Sequence, residues 1–223
     1  MVMNPTRSPR MPAGRSGDAV LSTPRLALRE MTPDDLDFVA EMMGHPEVTR
    51  YYPKQYSREE ARRWLERQLE RYRRDGHGLW LVTLKSTGEP VGQVGLAIQD
   101  VEGVREPEVG WLLHRPYWGN GYATEAGAAA CDAAFERWRY PHVISLIRPE
   151  NEPSQRVATR VGLRPGRRVL FHRFVHVVYQ GDRTTRTTER LKSRAGPSTR
   201  ECPLVTHGDA KSHFPRRGRR GCG

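Results

Sequence analysis

The chain has 223 residues and a formal net charge of +11. That length fits one domain, or one domain with tails, and a strong basic excess is typical of nucleic-acid-binding proteins. The excess lies at the two ends, however. Residues 182–223 carry 11 basic and 4 acidic residues and residues 1–19 carry 3 and 1, whereas residues 20–181 carry 23 and 21. The charge therefore predicts a nearly neutral domain at 20–181 between two basic segments.

Several classes of protein are excluded by the residue pattern. No run of 18 apolar residues exists, so no membrane association is expected, and the first 17 residues lack the apolar stretch of a secretory signal. The three cysteines are few and odd in number, which argues against a disulfide framework and for a reducing, cytoplasmic location. The histidines show no ligand spacing with Cys or acidic residues, so no metal is expected.

The domain is predicted to open with a strand and a short helix. Leu21–Arg29 alternates apolar and polar residues near its end, which predicts a strand at about 25–30. Thr32 is a good N-cap, followed by a proline suited to the first helical position and by two acids that favour the positive helix end. The helix is predicted to end near Met43.

A long charged helix and a hairpin are predicted next. Ser57 and Glu60 form a capping box, and the helix ends at Gly76. Its many Arg and Glu residues are interpreted as a solvated face with pairing between successive turns. Leu79–Lys85 and Val91–Ile98 are β-rich runs that predict a hairpin.

The second half of the domain alternates strands and helices. An apolar run and a glycine-containing turn lead into an alanine-rich helix, and four further elements follow. The predicted elements are strands at Glu108–Leu113, Val143–Ile147, Arg167–Phe171 and Phe174–Tyr179, and helices at Tyr122–Trp138 and Ser154–Arg160. The order β-α-α-β-β-β-α-β-α-β-β predicts an α+β protein of three layers, with about seven strands and four helices.

The two terminal segments are predicted to be disordered. Residues 1–19 are rich in Pro, Arg and Ser, and residues 182–223 have too few apolar residues to offset the entropy of ordering. Two interpretations of 182–223 stay open: a phosphate-binding arm for nucleic acid, or a solvated tail without a role. Any nucleic-acid binding is expected only from this tail.

The segment with the clearest chemistry runs from a strand through glycines into a helix. Gly119-Asn120-Gly121 precedes the alanine-rich helix. Such a turn frees backbone N–H groups to point at one place, and the helix dipole adds partial positive charge there, so a phosphate or pyrophosphate is the expected ligand. The spacing fits neither a P-loop nor a dinucleotide fingerprint. A turn that binds nothing is the alternative for this segment alone.

Four segments taken together resemble the GNAT superfamily of acetyl-CoA-dependent N-acetyltransferases, and more closely its ribosomal-protein-acetylating Rim-type branch. They occur in family order and at family spacing across about residues 20–180. The matching segments are 21–29 (LSTPRLALR), 92–96 (GQVGL), 117–126 (YWGNGYATEA) and 151–163, which begins with Asn151-Glu152-Pro153-Ser154 and ends with Gly162-Leu163. The resemblance implies a mixed, mostly antiparallel twisted sheet flanked by helices, either as a monomer or as a homodimer.

The resemblance also implies how acetyl-CoA binds. The pantetheine arm would lie along the fourth predicted strand like an added strand, Asn151 would hydrogen-bond that arm, and Ser154 would lie near the thioester sulfur. The strand positions are Trp111, Leu112 and Leu113, and the amides for the pyrophosphate are those of Trp118, Gly119, Asn120, Gly121, Tyr122 and Ala123. The Gln or Arg usual at the head of this loop is replaced by Pro116, although Arg115 is adjacent.

The reaction implied is attack of a neutral amine on the thioester carbonyl. It needs a base, an oxyanion donor and a route for the thiolate to leave. Glu108, acting through water, is the predicted base, with Glu106 as the alternative and an exposed strand-end carboxylate as the non-catalytic interpretation. A backbone N–H near Leu112 or Leu113 is the predicted oxyanion donor.

The general acid departs from the commonest family pattern. Ala158 occupies the position where many members carry a tyrosine, so Ser154 is the predicted acid, with an N-cap role as its alternative. The acceptor is expected to be a protein N-terminal α-amine or a small amine, because an α-amine is more easily deprotonated than a lysine amine. Residues 50–56 would form one wall of the acceptor groove. A non-catalytic acyl-CoA-binding or RNA-associated protein is the competing hypothesis.

Overall fold

The computed structural model describes residues 18–184, which form one eight-stranded sheet with four α-helices. The strands are β1 (Ala19–Ser22), β2 (Leu26–Arg29), β3 (Leu79–Leu84), β4 (Pro90–Val101), β5 (Val104–Leu113), β6 (His142–Ile147), β7 (Arg164–Phe171) and β8 (Phe174–Asp182). The helices are α1 (Leu36–Gly44), α2 (Arg58–Asp75), α3 (Tyr122–Glu136) and α4 (Glu152–Arg160). The predicted α+β fold class is confirmed.

The strands lie in the order β1-β2-β3-β4-β5-β6-β8-β7. All neighbouring pairs are antiparallel except β5 and β6, which are parallel. The parallel pair exists because α3 connects the end of β5 to the start of β6 as a crossover. Among the described strands, β5 and β6 are therefore the only neighbours that run in the same direction, and they pair at Glu108 and Ile144 alone.

The long helix α2 follows the sequence signals closely. The Ser57 hydroxyl accepts the N–H of Glu60, and the Glu60 carboxylate accepts the N–H of Ser57, which is the predicted capping box. Gly76 ends the helix in a left-handed conformation with φ of 74°. Leu65 and Tyr72 are buried against the sheet, while arginines and glutamates pair along the outer face.

The hydrophobic core lies between the helices and both faces of the sheet. Trp80 is 1% exposed and stacks on Trp138 with ring centroids 5.7 Å apart, and Cys131 is fully buried in α3. These residues are packing residues, as their positions in the sequence predict. Within residues 18–184, no helix combines the length and apolarity needed to cross a membrane.

The strands differ from the sequence-based expectation in number and in length. β7 begins at Arg164 rather than Arg167, and β8 ends at Asp182 rather than Tyr179. β1 is an additional strand, so the sheet has eight strands rather than about seven. β4 and β5 form a longer hairpin than predicted because Glu102 and Gly103 both have positive φ, 55° and 82°, in a tight two-residue turn between them. Residues 104–107, which precede Glu108, show too little alternation of apolar and polar side chains to be predicted as a strand.

The predicted terminal segments fall almost wholly outside the described residues. The described chain begins at residue 18 and ends at residue 184, so the expected disorder of 1–19 and 182–223 concerns segments that lie mostly beyond it. Ala19 already belongs to β1, and Asp182 still belongs to β8.

Candidate active site

The glycine turn at the start of α3 has the geometry of an anion site. Gly119 and Gly121 have φ of 82° and 78°, which favours glycine, and Gly121 is the N-cap of α3. Within residues 18–184, the backbone N–H groups of residues 119–124 find no hydrogen-bond acceptor, whereas the N–H of Trp118 donates to the carbonyl of Arg115 at 3.3 Å. A run of unpaired amides at a helix start is suited to a phosphate oxygen.

Arg25 holds this turn from outside it, and no role is predicted for Arg25 from the sequence. Its Nε and backbone N–H donate to the Glu125 carboxylate at 2.6 and 2.9 Å, and its Nη1 donates to the carbonyl of Asn120 at 3.0 Å. The guanidinium also lies 4.7 Å from the ring centroid of Tyr122. Because a trans peptide directs its C=O and N–H to opposite sides, this contact turns the N–H of Gly121 away from Arg25.

Arg115 is engaged elsewhere. Its Nε donates to Glu47 at 3.0 Å, and its guanidinium lies 5.0 Å from the ring centroid of Trp118. Trp118 is exposed, and its indole N–H donates to the carbonyl of Leu113 at 2.8 Å. Arg115 therefore links the turn to the end of α1, and the amides remain the main anion-binding groups of the turn.

β5 and β6 pair at one position, Glu108 with Ile144, and β5 continues for five residues beyond it. Among the described residues, Trp111, Leu112 and Leu113 pair with β4 and have no strand neighbour on the other side. Trp111 points toward α3 and α4, and its indole N–H donates to the Ser154 hydroxyl at 3.3 Å. The open edge of β5 thus leads from the glycine turn to the first turn of α4.

Asn151, and not Ser154, caps helix α4. The side-chain carbonyl of Asn151 accepts the N–H of Ser154 at 3.2 Å, and the helix begins at Glu152, two residues before the predicted start. The N-cap interpretation of Ser154 is therefore wrong. The Ser154 hydroxyl faces Trp111 across the opening between the strands, and Ala158, where many family members carry a tyrosine, is fully buried.

Glu108 lies where the two strands separate, on the face of β5 opposite to Trp111. Its carboxylate accepts the side-chain amide of Gln99 at 2.6 Å and the backbone N–H of Leu146 at 3.1 Å. Burial raises the pKa of Glu108 above its usual value, and these two bonds together with the charge of Arg71 offset part of that rise. A partly buried carboxyl with a raised pKa suits a general base.

Glu106 has a different environment. Its carboxylate is hydrogen-bonded to Nε2 of His142, farther from the open end of the strands. Of the two candidate bases, Glu108 is therefore closer to the edge along which Trp111, Leu112 and Leu113 lie.

The segment between α1 and α2 forms an aromatic wall. Tyr52 and Tyr56 have ring centroids 6.1 Å apart, and Tyr56 and Trp64 have centroids 6.2 Å apart, all in edge-on contact. Burial raises the pKa of Tyr52, and the nearby Glu108 charge adds to the rise. Tyr52 therefore lies close enough to Glu108 to be influenced by its charge.

A mostly antiparallel sheet that opens between two central strands, beside a glycine turn at a helix start, defines an acyltransferase fold. The family described as acetyltransferase (GNAT) domain matches residues 25–164. The chain belongs to this family, which confirms the resemblance to the GNAT superfamily, and the protein is an acyltransferase.

Individual relatives agree with this assignment. The chain is 33% identical over 144 residues to the uncharacterized protein YkkB of Bacillus subtilis (strain 168), covering 64% of this chain and 84% of that one. The acetyltransferase from Agrobacterium tumefaciens str. C58 has a TM-score of 0.66 at 29% identity, covering 78% of this chain and 100% of that chain. The ribosomal alpha-N-protein acetyltransferase RimL, in complex with coenzyme A, shares the fold with a TM-score of 0.59 at 16% identity, covering 74% and 98%.

Proposed function

We propose that the protein is an N-acetyltransferase of the Rim-type branch that moves an acetyl group from acetyl-CoA to a primary amine by direct attack. The observation that carries the proposal is the run of unpaired amides at residues 119–124, which adjoins the open edge of β5. One end of this path suits a pyrophosphate, and the other end reaches Glu108. The coenzyme A complex of the structural relative RimL supports the same choice of donor.

The donor would lie in the opening between β5 and β6. The pyrophosphate would bind the amides of the glycine turn, and the pantetheine arm would add to the edge of β5 at Trp111, Leu112 and Leu113. The side-chain NH₂ of Asn151 has no partner among residues 18–184 and is free to donate to the arm. The binding energy therefore comes from backbone groups, in keeping with the nearly neutral domain.

Glu108 would accept a proton from the ammonium form of the acceptor, directly or through water, so that the neutral amine attacks the thioester carbonyl. The N–H of Leu112 or Leu113 would stabilise the oxyanion. The thiolate then leaves, with Ser154 as the nearest predicted proton donor. A thiol has a pKa of about 8.5, so the leaving group needs little help from an acid.

The acceptor would enter over the aromatic wall formed by Tyr52, Tyr56 and Trp64. An α-amine with a pKa of about 7.7–8.0 is roughly a tenth neutral at pH 7, whereas a lysine amine is less than about a thousandth neutral. A site with a single carboxylate base therefore favours an α-amine or a small amine of comparable pKa.

The test measures turnover. Acetyl-CoA is mixed with the purified protein and a panel of amines and peptides, and free thiol is followed with time. Thiol release that depends on an amine supports the proposal, and no release with any acceptor would refute it.

A paired substitution tests the pyrophosphate assignment. Gly121→Asp places a carboxylate among the amides and is expected to abolish the protection that acetyl-CoA gives against thermal unfolding. Gly103→Asp is the matched control, since Gly103 has a similar φ of 82° and nothing lies within 4 Å of its Cβ position. Equal protection of both variants would remove the pyrophosphate from the glycine turn.

A further inference from the structure

The elements around β5 carry hydrogen-bond donors that the described residues leave unused. Most arginines of α2 form ion pairs with nearby acids. These are Arg58, Arg62, Arg63, Arg73 and Arg74. Arg71 is half-buried instead and forms no ion pair within residues 18–184. Its hydrogen-bond partner is the side-chain carbonyl of Gln68, at 3.2 Å.

The position of Arg71 follows from its contact with Gln68. The same Gln68 oxygen accepts the N–H of Leu79 at 3.2 Å, which anchors the guanidinium at the start of β3. Leu79 pairs with Gly95, and Gly95 pairs with Gly110 two residues from Glu108 on the same strand. Arg71 is thus held at the start of β3, where its charge acts on the Glu108 carboxyl.

A second guanidinium lies against the aromatic segment between α1 and α2. Arg148 follows β6 and lies over the ring of Phe174, 4.4 Å from its centroid, while its Nη1 donates to the carbonyl of Tyr51 at 3.4 Å. Its Nε is buried without a hydrogen bond, although the exposed carboxylate of Glu150 is 3.5 Å away. Arg148 thus bridges the aromatic segment and the β7–β8 hairpin.

A third donor lies beside Leu112 on the same face. The indole N–H of Trp64 donates to the side-chain oxygen of Gln93 at 3.0 Å, which fixes the orientation of that amide. The Gln93 amide nitrogen is then buried without a partner among the described residues. The buried Gln93 amide nitrogen and the buried Nε of Arg148 therefore lack hydrogen-bond acceptors among the described residues, and Arg71 makes no ion pair there.

We infer that the amine acceptor carries a carboxylate close to its amine, as an amino acid or an acidic peptide N-terminus does. The inference rests on the proposed function and narrows its acceptor. A guanidinium held away from water gains most from a bidentate carboxylate. Glu108 then receives the ammonium proton while Arg71 or Arg148 binds the carboxylate, which orients the amine toward the thioester.

The inference is tested with acceptors that differ only in charge. Alanine is compared with alaninamide, and the dipeptide Ser-Asp with Ser-Asn, with spermidine as the polyamine. The wild-type protein is expected to prefer the carboxylate member of at least one pair by about tenfold in kcat/KM, because a hydrogen bond to a charged group is lost in the other. The pair with the larger preference shows whether the carboxylate-bearing acceptor is a free amino acid or an acidic peptide.

Substitutions of the two arginines test which of them binds the carboxylate of the acceptor. Arg71→Gln or Arg148→Gln is expected to reduce that preference about fivefold or more, and Arg71→Lys retains part of it. Arg73→Gln is the matched control, because Arg73 pairs with Glu70 on the outer face of α2 and its loss leaves the preference unchanged.

The possible failures are distinguishable. Equal use of each acid and its amide, or a preference for spermidine, overturns the carboxylate inference and leaves acetyl transfer standing. A preference that neither substitution reduces overturns it as well. No thiol release with any acceptor overturns the proposed function, and the inference with it.

Discussion

Replacing Glu108 by glutamine is expected to remove catalysis and to preserve the fold. The side-chain oxygen of a glutamine still accepts the N–H of Leu146, and Gln99 can rotate its amide to accept from the new NH₂ group. The substitution therefore removes a charge and a proton acceptor but no hydrogen bond. General bases contribute about 10²–10⁴-fold, or roughly 3–5 kcal/mol of barrier, and a loss of that size in kcat/KM is expected.

The pH dependence follows from the raised pKa of Glu108. The base acts in its ionised form, so kcat/KM of the wild-type protein falls as the pH drops through that raised pKa. For stability the sign is opposite to that of a salt-bridged acid. Burial disfavours the ionised form of Glu108 in the folded state. The free energy of unfolding is therefore lowered at pH values above the pKa of Glu108 in the folded state, and this loss disappears as the pH falls below its pKa in the unfolded state. Glu108→Gln is expected to unfold at the same or a higher temperature at neutral pH.

The assay follows thiol release by the wild-type protein and by Glu108→Gln at saturating acetyl-CoA, from acidic to neutral pH. The melting temperature is measured in parallel. Glu106→Gln is the matched control, since Glu106 lies two residues earlier on the same strand face and binds His142. Retention of more than about a tenth of the activity by Glu108→Gln would refute the assignment of the base. So would a larger loss in Glu106→Gln.

Three further predictions concern residues that support the glycine turn, helix α2 and the sheet. Arg25→Gln is expected to raise the KM for acetyl-CoA roughly fivefold in steady-state kinetics, without changing the KM for the acceptor. This corresponds to about 1 kcal/mol for the loss of a half-exposed contact. Arg29→Gln is the control. Ser57→Ala loses the cap of α2 and about 1 kcal/mol in urea unfolding. Gly95→Ala places a Cβ 2.1 Å from a backbone oxygen and is expected to cost at least about 1–3 kcal/mol in the same measurement, more than Gly110→Ala.

Local signals in the sequence predict most of the fold. The capping box at Ser57 and the left-handed Gly76 bound α2 as expected, because both act through contacts between near neighbours. β1 escapes prediction because Ala19–Ser22 is only half-buried and depends on pairing with β2 at the sheet edge. The start of α4 shifts by two residues because the cap is Asn151 rather than Ser154.

The site is less accessible from the sequence, because its geometry depends on distant residues. The glycine turn is identified by its own sequence, but Arg25, which binds it, is about 95 positions away in the chain. The environment of Glu108 likewise depends on Gln99 and on Leu146, from two neighbouring strands. No spacing rule within one segment predicts such contacts.

The link from Arg25 to the turn has a thermodynamic consequence at the edge of the sheet. If docking of the β1–β2 edge favours the turn geometry that binds acetyl-CoA, then acetyl-CoA must favour docking of that edge by the same factor. Ligand binding at α3 is therefore expected to slow amide hydrogen exchange in Ala19–Ser22, which does not touch the predicted donor site. Conversely, a partner that drew this edge strand away would weaken acetyl-CoA binding, so the amino-terminal edge of the sheet is a position from which the affinity for the donor can be set.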